Sequence, residues 1–332
     1  MTSPNGDTAN SLTPADIHPW VAEGLNQVRF GISIFPQPVD WQRFFDIVQQ
    51  AEAAGMDGYW AYDHPQSRVD CWTSLSALAT QTKTIRLGTA VACIYYRSPY
   101  MLARQAADVD RLSNGRLILG LGIGHVVPEF RKMGILFPPT DVRLRGMEET
   151  ISIVRGLWSG QPFSFSGEQW SAQSDGDFLG PVQLPYVPIM IAGGGEKVTI
   201  RQVAQFADAS NMGAHPSIGA AVTNDEIRRK LARLDDYLAE YGRPPESVLR
   251  SQFTMPLVMA ETRQALDRKL AGLPQDTLEW CGDALFAGTP DETIAFYRDL
   301  TDLGFQYFIA NILDGDYSTI ELMEKHLLPA FR

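Results

Sequence analysis

Cysteine is scarce in this sequence, and the cysteines present are not arranged for cross-linking or metal binding. The three residues, Cys71, Cys93 and Cys281, are odd in number and widely separated, so they form neither a disulfide framework nor a zinc motif. None of the five histidines stands at a metal-ligand spacing from another. We therefore expect no metal site, and a protein of a reducing compartment, the cytoplasm.

Positive charge and long apolar runs are also lacking. The 332 residues include 28 Lys and Arg against 39 Asp and Glu, which gives a net charge of -11. Such a chain repels a polyphosphate backbone, so we do not expect nucleic acid as a partner. No apolar run approaches the roughly 20 residues of a membrane span, so we do not expect a membrane either. The expected partner is a small molecule.

The chain divides into a short polar start and a long alternating body. Residues 1–28 are polar and Pro-punctuated at their beginning and lack a signal-peptide pattern, which predicts a flexible N-terminal arm. From residue 29 to residue 332, strand-like and helix-like segments alternate, as in a single domain. The eight predicted strands are Arg29–Phe35, Gly58–Asp63, Arg86–Cys93, Arg116–Gly122, Val187–Ala192, Ala209–Gly213, Arg250–Met259 and Phe305–Ala310.

Between the strands, apolar residues recur at the three- and four-residue spacing of helices packed on a sheet. The predicted helices are Trp41–Ala54, Trp72–Thr82, Pro99–Leu112, Arg143–Trp158, Thr199–Ala207, Asn224–Tyr241, Pro290–Leu303 and Ser318–Phe331. Eight alternations predict an α/β fold, a closed (β/α)8 TIM barrel more than an open doubly wound sheet. Three long segments, 125–142, 159–186 and 262–289, are predicted to be loop insertions at its carboxyl-terminal face.

Two strand ends carry residues suited to chemistry. Asp63 and His64 follow the second strand, and Pro65 prevents simple continuation, so an imidazole there could exchange a proton over the barrel mouth. The alternative is a turn aspartate beside a solvated histidine. In the third strand the small residues of Thr89-Ala90-Val91 would let a flat ring approach the backbone, although the same letters describe an ordinary buried strand.

Glycines mark two further strand ends. Ala192-Gly193-Gly194-Gly195 runs from the fifth strand into the helix near Thr199, and backbone amides at a helix N-terminus favour a phosphate. A tight structural turn is the alternative. The run from Gly120 to His125 superficially resembles a dinucleotide fingerprint, but Pro128 follows instead of a helix and the third glycine comes one residue early. We therefore do not predict a Rossmann site.

Taken together, these segments resemble the bacterial luciferase-like family of flavin- and deazaflavin-dependent oxidoreductases. The matching stretches are RFGISIF, GYWAYDH, RLGTAV with RSPYMLARQAADVDRLSNGRLILGLGIG, RLRGMEETISIVRGLW, PIMIAGGGE with RQVAQFAD, and GTPDETIAFYRDLTDLGFQYF. They occur in family order along most of the chain. The resemblance implies a barrel that holds a reduced flavin or deazaflavin at the carboxyl ends of its strands, and a homodimer.

The resemblance also implies roles for individual residues. A non-prolyl cis peptide that supports the back of the ring would fall at Ala90-Val91. Gly193 and Gly194, with Ala192 beside them, would hold the cofactor phosphate.

Other cofactor contacts are implied on the neighbouring strands. Gly122, Ile123 and Gly124 would line the cofactor side chain. His64 matches the base of the deazaflavin-dependent sugar dehydrogenases of this family, and Asp63 would contact the ring.

The residue at position 123 favours one cofactor over the other. Members that use FMN tend to place an arginine there to grip the terminal phosphate, whereas this chain has Ile123. The GLGIGH, FPP and GGGE sequences also look more like deazaflavin-dependent members. Arg97, Arg131 or Arg201 could supply another grip, so FMN stays open as the alternative cofactor.

We therefore predict an enzyme that transfers a hydride between the deazaflavin coenzyme F-420 and a small organic substrate, with His64 handling the proton. One alternative is an FMNH2-dependent monooxygenase, which uses O2 and depends on a separate reductase. A second alternative is a barrel that binds flavin without turnover. Phe35, His125 and Trp170 are the candidate lining of the substrate pocket.

Overall fold

A computed structural model describes residues 17–213 and 223–332 of the chain. The strands are β1 (Arg29–Phe35), β2 (Gly58–Ala61), β3 (Arg86–Thr89), β4 (Ala92–Cys93), β5 (Leu117–Gly122), β6 (Pro162–Ser166), β7 (Ser171–Asp175), β8 (Ile189–Ala192), β9 (Ala209–Gly213), β10 (Leu249–Thr254), β11 (Leu257–Met259), β12 (Phe286–Gly288) and β13 (Tyr307–Leu313). The α-helices are α1 (Pro19–Ala22), α2 (Trp41–Ala54), α3 (Cys71–Gln81), α4 (Pro99–Ser113), α5 (Val127–Lys132), α6 (Thr140–Trp158), α7 (Thr199–Phe206), α8 (Asn224–Glu240), α9 (Arg263–Ala271), α10 (Gln275–Cys281), α11 (Pro290–Asp302) and α12 (Tyr317–Leu322).

Eight of these strands form one closed parallel barrel. β1, β2, β3, β5, β8, β9, β10 and β13 are neighbours in sequence order. The ring closes because β1 pairs with β13, with Arg29 opposite Tyr307, and β3 pairs with β5, with Leu87 opposite Leu117. Helices follow the strands and pack outside them, so the predicted (β/α)8 TIM barrel is confirmed.

Alternation along the strands separates two apolar layers. Trp60, Ile118, Met190 and Tyr307 belong to a cluster inside the barrel, where the Trp60 indole N–H donates to the Tyr307 hydroxyl at 3.1 Å. The alternate residues of the strands, such as Ile32, point outward and pack against the helices in the larger cluster. Strands covered on both faces are apolar almost throughout, which is why the sequence reads as short continuous apolar runs.

The end of the predicted N-terminal arm is packed against the barrel. Trp20 in α1 is 1% exposed and packs edge-on against Tyr307, at 6.0 Å between ring centroids. Arg29 donates to the Trp20 carbonyl at 3.1 Å. The prediction of a flexible arm is therefore wrong for residues 17–28, because an indole buried at the amino-terminal end of the barrel holds them. Residues 1–16 lie outside the described residues.

Proline explains two further differences from the predicted elements. The predicted strand Arg250–Met259 is divided into β10 and β11, because Pro256 has no N–H to continue the ladder. β11 pairs instead with β12 in a small separate sheet. Pro128, expected to exclude a helix, lies in the first turn of α5, where proline is well tolerated.

The second long segment, 159–186, contains a β-hairpin. β6 and β7 pair antiparallel, with Phe163 opposite Ser174 and Phe165 opposite Ala172. Across the two described ranges, none of the helices combines the length and apolarity that crossing a bilayer requires.

Candidate active site at the barrel mouth

The carboxyl ends of the barrel strands bring the predicted site residues to one rim. His64 follows β2, Ala90 and Val91 follow β3, and Gly193 follows β8. The strands are parallel and the barrel is closed, so these ends surround a single opening. We refer to this opening as the mouth.

His64 at the mouth is paired with a buried carboxylate. Its Nδ1 lies 2.9 Å from Oε1 and 3.0 Å from Oε2 of Glu129, which α5 carries. The His64 side chain is 40% exposed, whereas that of Glu129 is 7% exposed. The Tyr96 hydroxyl donates to Glu129 Oε2 at 2.6 Å. The mouth thus contains an imidazole that is accessible to a ligand and anchored through one of its nitrogens.

Asp63, next to His64, forms a buried ion pair with Arg97. Nη1 and Nη2 of Arg97 lie 2.5 and 2.8 Å from its two carboxylate oxygens, and the Cys93 backbone N–H donates to Oδ2 at 3.0 Å. Burial alone would lower the pKa of Arg97, but the Asp63 carboxylate outweighs this and raises it. Both Asp63 oxygens therefore have protein partners, and the residue fixes the chain that carries His64.

The segment after β3 forms the back of the mouth. The peptide bond between Ala90 and Val91 is cis, as the family resemblance implied, and both residues are half-buried. Gly122 faces them, since a Cβ at this position would stand only 2.5 Å from Cγ2 of Val91. Glycine is therefore needed at 122 for the two strand ends to approach.

The Gly-rich turn after β8 suits an anion. Gly193 has φ +128, a conformation that other residues rarely adopt, and its N–H donates to the Asn211 carbonyl at 3.0 Å. No side chain among the described residues caps α7 at its start, so the first-turn amides face no carboxylate or hydroxyl cap. Glu196 within the turn is bound by Arg229 at 2.9 and 3.1 Å. The uncapped backbone amides at the start of α7 fit a cofactor phosphate.

Arg143 supplies a positive charge beside Ile123 that the sequence did not indicate. Its guanidinium donates to the Ile123 carbonyl at 3.3 Å, to the Gly124 carbonyl, and to the Pro138 carbonyl at 3.0 Å. It also lies over the Phe137 ring, 4.1 Å from the centroid. The Ile123 side chain packs against the main core. An aliphatic residue at 123 therefore does not leave this strand end uncharged, and the guanidinium holds the backbone there.

The three candidate substrate-pocket residues fall into two places. The His125 ring lies edge-on to His64 at 6.1 Å. Phe35 is 6.0 Å from Tyr62, whose ring is in turn 6.4 Å from His64. Trp170 lies instead in a cavity of about 470 Å³, lined by Tyr95, residues 135–139, Val142 and Gln169. Phe35 and His125 thus lie near His64 at the mouth, whereas Trp170 lines a separate cavity.

Three residues of the site were not predicted from the sequence, namely Tyr96, Glu129 and Arg143. Arg97 was considered only as a phosphate grip and is paired with Asp63 instead. Tyr96 and Arg97 directly precede Ser98, the N-cap of α4, so they too follow a barrel strand. Glu129 follows a proline, which is a helix-start signal that could have indicated a first turn facing the mouth. Arg143 carries no local signal, because its partners are carbonyl groups of another segment.

Comparison with known proteins gives a matching family model and relatives that align over nearly the whole chain. A family model described as luciferase-like monooxygenase matches residues 25–307. The chain is 25% identical over 346 residues to the 5,10-methylenetetrahydromethanopterin reductase of Archaeoglobus fulgidus, covering 92% of this chain and 100% of the relative. It is 28% identical over 347 residues to the F-420-dependent glucose-6-phosphate dehydrogenase of Mycobacterium avium, covering 93% and 99%.

Solved structures show the same fold at lower identity. The coenzyme F-420-dependent tetrahydromethanopterin reductase of Methanopyrus kandleri superposes with a TM-score of 0.76 at 19% identity, over 92% of this chain and 100% of that one. The EDTA monooxygenase of Chelativorans sp. BNC1 also gives 0.76, at 16% identity over 91% and 93%. An F-420-dependent reductase and a monooxygenase thus share this barrel fold.

Proposed function

This chain belongs to the luciferase-like monooxygenase family of oxidoreductases, and we propose that it transfers a hydride between coenzyme F-420 and a small organic substrate. The observation that carries the proposal is the anchored imidazole of His64, at the same mouth as the cis Ala90-Val91 peptide and the Gly193 turn. A full-length relative named as F-420-dependent supports the choice of cofactor.

The residues around the mouth fit the proposed coenzyme. Ala90 and Val91 would lie behind its ring, and the turn of Ala192, Gly193 and Gly194 before α7 would hold its phosphate. Gly122, Ile123 and Gly124 would line its side chain. When bound, the coenzyme accepts or supplies the hydride. The Asp63–Arg97 ion pair keeps the strand end that carries His64 in place.

His64 exchanges the proton that accompanies the hydride. In the oxidative direction, the substrate loses a hydride from carbon and the proton of its hydroxyl group passes to Nε2 of His64, because Nδ1 is bound to Glu129. In the reductive direction, His64 returns this proton to the carbonyl oxygen. Phe35 and His125 line the substrate side of the mouth.

An FMNH2-dependent monooxygenase, supplied by a separate reductase, is the second candidate because the family description and the Chelativorans structure both name a monooxygenase. The arginines considered as phosphate grips favour F-420. Arg97 is bound to Asp63, and Arg201 donates to Glu240 at 2.7 Å. Arg131, like Arg201, is exposed. We further propose a homodimer with no nucleic-acid or membrane partner.

Equilibrium binding and oxygen consumption test this function. We expect visible absorbance titrations to give a lower Kd for F-420 than for FMN, and turnover of an alcohol or carbonyl panel without oxygen uptake. His64→Ala should bind F-420 normally but lose about 10²- to 10⁴-fold in kcat. His326→Ala, on the C-terminal helical segment where His326 pairs with Glu261, is the matched control and should retain kcat.

Four results would overturn all or part of the proposal. FMN binding without F-420 affinity, or oxygen uptake coupled to substrate oxidation, would establish the monooxygenase. Full turnover by His64→Ala would remove its proton-transfer role, and no turnover by the wild type would favour a non-catalytic binding barrel.

A further inference from the structure

The Glu129 carboxylate is buried without a permanent cation beside it. Its side chain is 7% exposed, and within residues 17–213 and 223–332 no Lys or Arg nitrogen lies within 4.0 Å of its oxygens. Its side-chain oxygens contact the Tyr96 hydroxyl and Nδ1 of His64. A buried carboxylate is stable only if its oxygens accept hydrogen bonds or face a positive charge, so these two groups must supply what Glu129 needs.

Tyr96 is restricted to the role of donor. Burial, reinforced by the neighbouring Glu129 carboxylate, raises the pKa of Tyr96, so the phenol keeps its proton. It directs this proton to Oε2 of Glu129 at 2.6 Å. An ionised carboxylate can only accept, and both oxygens lie within 3.0 Å of His64 Nδ1. Nδ1 must therefore carry a hydrogen.

The short helix that carries Glu129 is fixed on two sides. Phe130, next to it, is fully buried, with its ring 5.3 Å from Tyr96 and 4.8 Å from Phe137. On the exposed side, Nζ of Lys132 donates to the Gln66 side chain at 2.6 Å, in the loop that carries His64. Helix α5 and the His64 loop are thus joined by two polar contacts, which restricts movement of the carboxylate away from the imidazole.

We propose that Glu129 is the positioning residue of His64, which holds the imidazole as its Nδ1–H tautomer and directs an unprotonated Nε2 to the substrate. The proposal rests on the proposed role of His64 in proton transfer. Glu129 also faces the positive charge that His64 acquires when it takes the substrate proton. A base oriented by a third group is a recurring arrangement in enzymes, and here α5 supplies that group. Tyr96 keeps the second carboxylate oxygen occupied.

The tautomer can be observed directly by ¹⁵N NMR of histidine-labelled, cofactor-free protein. The His64 signals are assigned by their loss in His64→Ala. We expect a proton on Nδ1 and none on Nε2 in the neutral wild-type ring, and a shift toward the Nε2–H form in Glu129→Ala. Met133→Ala, an exposed position at the end of α5, is the matched control and should keep the wild-type tautomer. A wild-type ring protonated on Nε2 would contradict the proposal, whichever variants fold.

Kinetics separate this inference from the proposed function. Glu129→Ala should lower kcat by about 10²-fold or more while the Kd for F-420 is retained, because the wrong tautomer presents a proton where the base is needed. Tyr96→Phe should lower kcat less. If His64→Ala is inactive but Glu129→Ala retains full kcat, only the positioning role fails. If His64→Ala is fully active, the proposed function fails independently of the NMR result.

Discussion

At the scale of single residues, the ion pair between Asp63 and Arg97 is the main electrostatic support of the mouth. The two side chains are 6% and 15% exposed, so neither charge is well solvated. Arg97 also lies over the Trp72 ring, 5.7 Å from its centroid. The attraction within a buried ion pair contributes little net stability. Removing one partner is costly, because the other charge is then buried without compensation.

Arg97→Met should therefore destabilise the protein strongly. The variant leaves the buried Asp63 carboxylate without its cation, which costs about 3–5 kcal/mol of unfolding free energy. Urea denaturation measures this loss, and adding Asp63→Asn should recover part of it. Arg104→Met is the matched control, because Arg104 pairs with Asp108 on the exposed surface, where a pair contributes about 0–1 kcal/mol. Equal losses for the two arginines would contradict the buried-pair interpretation.

Site residues differed in how well the sequence predicted them. His64 and Gly193 could be predicted because each stands at a strand end beside a local signal. For His64 the signal is Pro65, and for Gly193 it is the helix start at Thr199. Glu129 is 65 positions from His64, and nothing local relates the two. Asp63 was expected to contact the cofactor ring, but its neighbour in space is Arg97, which lies 34 positions away. A motif indicates which side chain faces the mouth, whereas its partner depends on the fold.

At the scale of elements, one carboxylate holds the turn between α3 and β3 against α2. Glu52 accepts backbone N–H groups of Lys83, Thr84 and Ile85 at 2.8, 2.6 and 2.9 Å. Burial of Glu52 opposes its ionisation, but these hydrogen bonds outweigh burial and lower its pKa below the ordinary 4.5. The charged form is thus favoured in the folded protein.

Glu52→Gln should lower stability in a pH-dependent manner. Since the pKa is lower in the folded than in the unfolded chain, the stabilisation is fully present above the unfolded value and disappears as the pH falls through the folded value. We expect a loss of about 1–3 kcal/mol at pH 7 that vanishes in acid. Thermal unfolding from pH 7 to acid measures it, with the exposed Glu321→Gln as the control. A difference that does not vary with pH would exclude the carboxylate's charge as the cause.

Element boundaries were predicted well where caps and periodicity agree. The predicted helix Trp41–Ala54 matches α2, which begins after the Asp40 N-cap and ends at Gly55 with φ 84. α5 was missed because six residues are too few to show a periodic apolar stripe. β10 was predicted too long because an apolar run continues beyond Pro256 into a different sheet.

At the scale of the whole molecule, the two ends of the barrel differ. The amino-terminal end contains Trp20 and Arg29, with the guanidinium 5.5 Å from the centroids of both the Trp20 and Tyr307 rings. The carboxyl-terminal end carries the polar groups of the mouth. The amino-terminal end thus contributes aromatic packing, and the chemistry proposed for this barrel belongs to the carboxyl-terminal end.

Trp20→Ala should destabilise the fold without altering the mouth. Truncation of a buried tryptophan costs about 3–5 kcal/mol. Trp41→Ala, in which the removed ring is 38% exposed, should cost less and serves as the matched control. Urea unfolding measures both, and F-420 binding by folded Trp20→Ala should equal that of the wild type. Equal stability losses for the two tryptophans would show that the buried Trp20 indole contributes no more to stability than the partly exposed Trp41.

The segment from 125 to 142 sets a rule for redesigning this enzyme by loop grafting. Its first part, α5, holds the carboxylate that faces His64, whereas residues 135–139 line the cavity around Trp170. Gly134, with φ +68 and no neighbour near its Cβ position, stands between the two parts. A graft that begins after Gly134 but keeps Phe137, which packs against Phe130 of α5, should exchange the cavity wall and retain the proton transfer proposed for His64. A graft of the whole segment exchanges both at once, so a chimera can lose activity although its new pocket is correctly formed.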